Sequence, residues 1–309
     1  MHAMSASVCG FSFGRNLTRL NYPVEAAVRS VLPLCDRFIF AVCQSDDDTR
    51  QRIACIDPRK VEIVDTQWPQ VNVDGTVLAI EANKAMAAAQ ATGCKWGFYI
   101  QADEVVHEDD LASIRAAMDY WAPHPHVKAL LFRYLHFVLD YATIDPWMYH
   151  KASRIVRLDN TCQIVGDACG PAIKNYSGKV NRGNGYLDKH HMGGHVQWAR
   201  DPKPGMHMPD SAARIFHYGW VKTREELATK FGMVEKLWWG TLSAEEKARR
   251  KNNKFGQFVE RYPVLKKFGG SHPALMAQRI AAHEPYAKVI NRWLNPRFYA
   301  EIVRHGFHG

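Results

Sequence analysis

Lys95-Trp96-Gly97-Phe98-Tyr99-Ile100-Gln101-Ala102-Asp103-Glu104-Val105-Val106-His107-Glu108-Asp109 is the stretch from which the fold is read. Trp96 to Ile100 is short and mostly apolar, which predicts a buried strand. It runs straight into two adjacent carboxylates, Asp103 and Glu104. A helical spacing then begins near Glu108, with Leu111, Ile114 and Met118 on one face. In an open α/β sheet, ligands collect in the crevice beyond the carboxyl ends of the strands. Hard divalent cations take carboxylate oxygens there and keep waters and substrate phosphates as further ligands. The acid pair is therefore a candidate holder of Mg²⁺ or Mn²⁺ against a diphosphate. The plainer alternative is a solvated turn in which Asp103 or Glu104 caps the helix.

Upstream, strand and helix alternate. Val8 to Phe13 predicts a first strand, followed by a polar turn at Gly14-Arg15-Asn16. Pro23 opens a helix carrying Val24, Ala27, Val28 and Val31. Arg37 to Val42 is a second strand, ending in the acidic run Ser45-Asp46-Asp47-Asp48-Thr49, which can also cap the following helix. Val61 to Val64 is a third strand, and a long helix runs from about Thr76 to Thr92, closed by Gly93. This alternation predicts an α/β fold, Rossmann-like, with a mostly parallel sheet and helices on both faces.

Beyond Trp121 the pattern loosens. Ala129 to Leu139 reads as a strand, with shorter ones at Arg154–Leu158, Gln163–Val165 and Arg214–Tyr218. Gly178, Gly183, Gly185, Gly193 and Gly194 mark turns in a long irregular region. Its aromatic and histidine content suggests a functional loop system. From Thr223 the chain reads as helical. Thr223-Arg224-Glu225-Glu226 and Ser243-Ala244-Glu245-Glu246 fit the capping-box pattern. Further helices are expected at residues 253–261, 272–283 and 285–293. A stripe of Leu227, Phe231, Val234, Leu237 and Trp238 predicts that the first helix packs on the sheet.

The 309 residues are 47% hydrophobic, enough for a substantial core. No apolar run approaches the ~20 residues of a membrane span. The first ten residues lack a basic start followed by an apolar core, and seven scattered cysteines form no Cys-x-x-Cys. Reduced thiols and a cytoplasmic location are expected. The net charge of +9 is concentrated late, at Lys247, Arg249, Arg250, Lys251, Lys254, Lys266 and Lys267. Such a surface attracts polyanions, and with Trp238, Trp239 and Phe255 it could place the protein peripherally at the inner membrane face. A solvated helix face is the simpler reading. No zinc-finger, RNP or helix-turn-helix pattern accompanies it, which argues against direct readout of nucleic acid.

Two other motifs point elsewhere. His190, His191 and His195 have zinc-like spacing, but Gly193-Gly194 opposes the helix that would align them. Gly10-Phe11-Ser12-Phe13-Gly14 matches Gly-x-Ser-x-Gly formally. Its serine lies in the first strand, however, and Pro23 delays the helix a nucleophile elbow needs.

The motifs taken together, in order and spacing, resemble family 2-type glycosyltransferases of the GT-A fold. They are Phe11-Ser12-Phe13-Gly14-Arg15-Asn16, Tyr22-Pro23, Ser30 to Leu34, Asp36, Ser45 to Thr49, Asn83-Lys84, Gln101-Ala102-Asp103-Glu104 and His217-Tyr218-Gly219-Trp220. The resemblance covers roughly residues 7–222. It implies a catalytic domain over residues 1–222, with a nucleotide-binding half (1–110) and an acceptor half (125–222), followed by a helical extension over 223–309. It also implies transfer of a sugar from a nucleotide-sugar donor to a glycan or lipid-linked acceptor, with a divalent cation (Mn²⁺ or Mg²⁺) and inversion. Phe13, Arg15, Asp46, Asp48, Asn83, Lys84 and Gln101 would bind the nucleotide. Asp103, Glu104 and His217 would ligate the metal. Asp167 or Asp188 would be the catalytic base, though each also reads as an ordinary turn aspartate. One departure weakens metal binding: many members have Asp-x-Asp where this chain has Gln101-Ala102-Asp103. A non-catalytic nucleotide-binding protein of the same fold, or a basic adaptor for membrane or nucleic acid, is the alternative.

Overall fold

The computed structural model describes residues 5–69, 75–146, 148, 150–174, 196–199, 212–240, 243–245, 265–284 and 292–306. The first half is the expected alternation: β1 (Val8–Gly14), α1 (Val24–Val31), β2 (Arg37–Cys43), α2 (Thr49–Ala54), β3 (Val61–Thr66), α3 (Thr76–Ala91) and β4 (Trp96–Tyr99). Then follow β5 (Glu104–Val106), α4 (Leu111–Trp121), β6 (Ala129–Val138), β7 (Thr143–Ile144), β8 (Lys151–Arg157), β9 (Cys162–Val165), β10 (Gly170–Ile173), β11 (Val196–Trp198), β12 (Arg214–Trp220), α5 (Arg224–Trp239) and β13 (Lys266–Lys267). Helices Ala277–Ala281 and Pro296–His305 come last.

The main sheet has the order β13-β7-β6-β8-β4-β1-β2-β3, with β11 and β12 also pairing to β6, and β5 to β12. β4, β1, β2 and β3 run parallel. The sequence predicted this half well because β1, β2 and β4 are apolar on both faces, as strands covered on two sides must be. Alternate residues go to opposite layers. Phe38, Phe40 and Phe98 pack under α1 and α4 with Val24, Val28, Ile114 and Met118. Ile39, Ala41, Phe11 and Tyr99 face α3, which meets them with Ala79, Ala82, Ala85, Met86 and Ala89. The α/β class expected from the sequence, a mostly parallel sheet flanked by helices, is the class observed.

The second half departs from simple alternation. β8 is inserted antiparallel between β4 and β6. β5, which has no signature in the sequence, pairs antiparallel with β12 and aligns Glu104 with His217. α5 carries the expected capping box at Thr223 and Glu226. Its stripe packs inward: Leu227 and Leu237 are buried, and the Phe231 ring lies 5.9 Å from that of Trp220. The expected helix at residues 253–261 lies outside the described residues, as does most of the one at 285–293. Between 272 and 283 only Ala277–Ala281 is α-helical, preceded by a single 3₁₀ turn at Ala274–Met276.

α3 is fastened to β9 by one side chain. Asn83 Nδ2 donates to the carbonyls of Ala79 and Ile164, each at 2.8 Å, and its Oδ1 accepts from Ile164 N–H at 2.8 Å. Asn83→Ala would leave both Ile164 backbone groups unpaired, so a loss of roughly 1–3 kcal/mol in unfolding free energy is expected by urea denaturation.

Candidate functional site

The β4–β5 turn is locked from below. Glu104 is fully buried and bidentate with fully buried Arg154: Nε donates to Oε2 at 2.7 Å and Nη2 to Oε1 at 2.6 Å. Tyr134 Oη also donates to Oε1, and Gln101 N–H to Oε2 at 3.1 Å. Arg154 donates further to the carbonyls of Ser153 and Cys169, and its guanidinium lies 5.3 Å from the ring centres of both Tyr99 and Tyr134. A buried pair is tolerable only when such bonds satisfy its remaining donors and acceptors. Glu104 therefore does not match the metal-ligand role expected of it. Both its oxygens are already spent on closing the turn.

With Glu104 fixed, Asp103 projects onto β12. Its carbonyl accepts from Tyr218 N–H at 2.8 Å. Its Oδ2 lies 3.4 Å from His217 Nε2 and 3.9 Å from Lys230 Nζ. Gly219 is what allows this approach: a Cβ there would collide with Asp103 Oδ2 and come within 2.8 Å of His217 Nε2. Burial pushes the Asp103 carboxyl up, but His217, Lys230 and Lys222 outweigh it and hold the acid well below the usual carboxylate range.

The two lysines were not anticipated. Lys230 is 6% exposed, and Nζ donates to the Gly219 carbonyl at 2.6 Å above the Trp220 ring. Lys222 is 2% exposed and donates to the Asn21 carbonyl at 3.2 Å. The half-buried Tyr22 ring lies 4.7 Å from Lys222 Nζ and 5.1 Å from Lys230 Nζ. Burial lowers the Lys230 ammonium to about 8 against the pull of Asp103. Burial and Lys230 lower Lys222 to about 7, against Glu226 and Asp103. One signal was available in the sequence: Lys230 stands inside the apolar stripe of α5, three residues after Leu227 and four before Val234.

The other expected site residues divide. The turn after β1 and the turn after β2 do meet. Asn16 Oδ1 accepts from Asp46 N–H at 2.9 Å, Asp48 accepts from Thr18 Oγ1, and Asp47 Oδ2 accepts from Arg19 N–H at 3.0 Å. Asp46 keeps its side chain 60% exposed, with Arg19 Nη1 at 3.7 Å. Arg15 stacks near Trp68, 5.7 Å from the ring centre, and its buried Nε has no hydrogen-bond partner among the described residues. Phe13 is half-buried against the core beneath α3. Gln101 Nε2 donates to Ala168 O at 2.7 Å and Tyr99 Oη at 3.1 Å, so it ties the turn to the Gly166–Cys169 loop. Asp167 sits on that loop, half-buried, beside Gly75 and Trp238. Trp238, half-buried, thus packs against Gly75.

Asn83 and Lys84 are engaged within the fold. Asn83 is committed to β9. Lys84 Nζ is spent on Glu81 Oε1 at 2.5 Å and Gln67 O at 2.8 Å. Asp188, the three histidines at 190, 191 and 195, and the basic run at 247–254 with Phe255 lie outside the described residues.

A hard cation would find two donors here, Asp103 Oδ2 and His217 Nε2. Their 3.4 Å separation is close to the ~3 Å between adjacent ligands of an octahedral ion held at ~2.1 Å. Among the described residues no third histidine, cysteine or acid joins them in a cluster. The remaining positions would fall to water and substrate oxygens.

No family model matches the chain, and a search of curated proteins gives no match. Among solved structures, residues 1–349 of S. aureus TarS in complex with UDP are similar over 46% of this chain and 39% of that one, with 14% identity and a TM-score of 0.32. A further structure of S. aureus TarS is similar over 97% of this chain and 54% of that one, with 11% identity and a TM-score of 0.35. A nucleotide-diphospho-sugar transferase from Desulfovibrio desulfuricans G20 is similar over 51% and 66%, with 12% identity and a TM-score of 0.32. The chain spans less than half the length of the two TarS 1–349 structures it matches. No described helix is long and apolar enough to cross a membrane.

Removing one partner of the turn-locking pair would strand a buried charge. Arg154→Met is expected to cost about 3–5 kcal/mol of stability in urea denaturation. Adding Glu104→Gln to it should recover part of that loss, since no charge is then left unpaired.

Proposed function

We propose that this chain is a glycosyltransferase that moves a sugar from a nucleoside-diphosphate sugar to an acceptor hydroxyl, with inversion. The observation that carries the reading is the junction of Asp103 and His217, buried together just past the carboxyl end of the central parallel strand β4. That is where an open α/β sheet places its ligand. It is also a donor set that a hard cation completes with diphosphate oxygens. The turns after β1 and β2, where Asn16 meets Asp46 and Arg15 lies near Trp68, would take the nucleoside. The motif resemblance supports the same reading.

Asp103 and His217 would hold Mn²⁺ or Mg²⁺. The bound ion would neutralise charge developing on the leaving nucleoside diphosphate. Gln101 does not join them: it holds the turn against Ala168 and so keeps Asp103 in place. Asp167, on the loop that Gln101 anchors, is the candidate base among the described residues, with Asp188 the other. The base would accept the acceptor's hydroxyl proton as that oxygen bonds to the anomeric carbon. The bond from carbon to diphosphate oxygen breaks in the same step on the opposite face, and its electron pair leaves with the diphosphate. The commitment of Gln101 also favours a second reading, a protein that binds nucleotide without turnover.

Nucleotide sugars incubated with the protein and Mn²⁺ should release nucleoside diphosphate, measured by a coupled assay. Asp103→Asn and His217→Ala should each slow this roughly 10²-fold or more, the scale of losing one preorganised charge-stabilising group. Tight UDP or GDP binding with no release from any sugar nucleotide would favour the non-catalytic reading. No binding to either nucleotide would remove both.

A further inference from the structure

We infer that Lys230 and Lys222 form an anion-binding pair that holds the diphosphate of the ligand beside Asp103, which makes α5 a wall of the donor site. The inference rests on the reading above for the identity of that ligand. The argument itself is a charge count. Four ionisable groups within this junction are almost wholly buried: Asp103 at 8% exposure, His217 at 6%, Lys222 at 2% and Lys230 at 6%. One carboxylate faces two ammonium groups. Further out, Arg279 is a third basic side chain and Glu226 a second acid, so the basic groups still outnumber the acids that face them.

Carbonyl oxygens of Gly219 and Asn21 accept from the lysines, and the rings of Tyr22 and Trp220 face them. These contacts lower the cost of burial but cancel no charge. A stripe lysine held solely for packing would be served better by leucine or methionine, as its neighbours Leu227 and Leu237 are. Retaining two buried lysines against one strand-end carboxylate fits a site completed by an anion. The lysines also come from outside the strand-end motifs: Lys222 follows β12, and Lys230 stands in the second turn of α5. A nucleoside diphosphate supplies the missing negative charge and has enough oxygens to meet Lys230, Lys222 and a cation held by Asp103 and His217 together.

The probe is inorganic pyrophosphate, followed by UDP, each titrated calorimetrically into the full chain in EDTA at fixed salt. The variants are Lys230→Met and Lys230→Gln, the latter keeping a donor for the Gly219 carbonyl. Both are expected to weaken pyrophosphate and UDP about tenfold or more, the scale of one charge-assisted hydrogen bond. The melting temperature of the free protein should hold or rise, because a buried basic group has gone. A lysine with a merely structural role would give the opposite sign in the melt. Wild-type affinity in a folded variant overturns the inference, as does failure of the wild type to bind pyrophosphate. Mn²⁺-dependent UDP binding that needs Asp103 but ignores Lys230 sinks the lysine pair and leaves the transferase reading intact. Pyrophosphate binding that needs Lys230, without nucleotide-sugar turnover, does the reverse.

Discussion

Glu104 and Arg154 form an ion pair closed off from water, and the geometry of the candidate site follows from it. Arg154 belongs to β8, the strand inserted antiparallel between β4 and β6. Its guanidinium is clamped between Tyr99 and Tyr134 and reaches up to the turn that follows β4. By holding both oxygens of Glu104, it fixes a turn of only a few residues between two strands that run in different directions. The turn in turn dictates where Asp103 points. Burying such a pair is costly unless every donor and acceptor is met, and here Gln101, Tyr134, Ser153 and Cys169 meet them. Two adjacent carboxylates have thus been given opposite work. Glu104 faces down and holds the structure, while Asp103 faces β12 and meets His217.

A second constraint is steric. β12 passes so close to Asp103 that position 219 accommodates no side chain, and the lysine of α5 closes over the same point through the Gly219 carbonyl. Three distant stretches of sequence, around residues 103, 217 and 230, therefore converge on one carboxylate oxygen. The C-terminal part is also joined to the sheet elsewhere, through β13 on β7 and the contact of Gly75 with Leu237 and Trp238.

How much of this was legible in the sequence depends on how local the cause is. β1, β2 and β4 announce themselves because strands covered on both faces are apolar throughout, and α3 because its alanines lie flat against them. The Asp103–His217 junction was legible through the family-like motifs. The division of labour between Asp103 and Glu104 was not, because it depends on Arg154, fifty residues away. Nor was β5: three residues without alternation have no signature, and only pairing with β12 makes them a strand. Asn83 shows the converse. Its place in a family-like motif suggested ligand contact, yet its amide satisfies the backbone of β9. Lys230 is the instructive omission, since a charged residue inside an apolar stripe is visible in the sequence and signals a buried partner.

The central claim is that one diphosphate-binding point is shared by β4, β12 and α5. A crystal structure of the chain with a nucleoside diphosphate and Mn²⁺, using anomalous scattering to locate the metal, tests it most directly. The account predicts an anomalous peak about 2.1–2.2 Å from both Asp103 Oδ2 and His217 Nε2, with diphosphate oxygens completing the coordination. It also predicts Lys230 Nζ within about 3 Å of a phosphate oxygen. A diphosphate bound away from Asp103, or one bound there with Lys230 still turned solely to the Gly219 carbonyl, would contradict it.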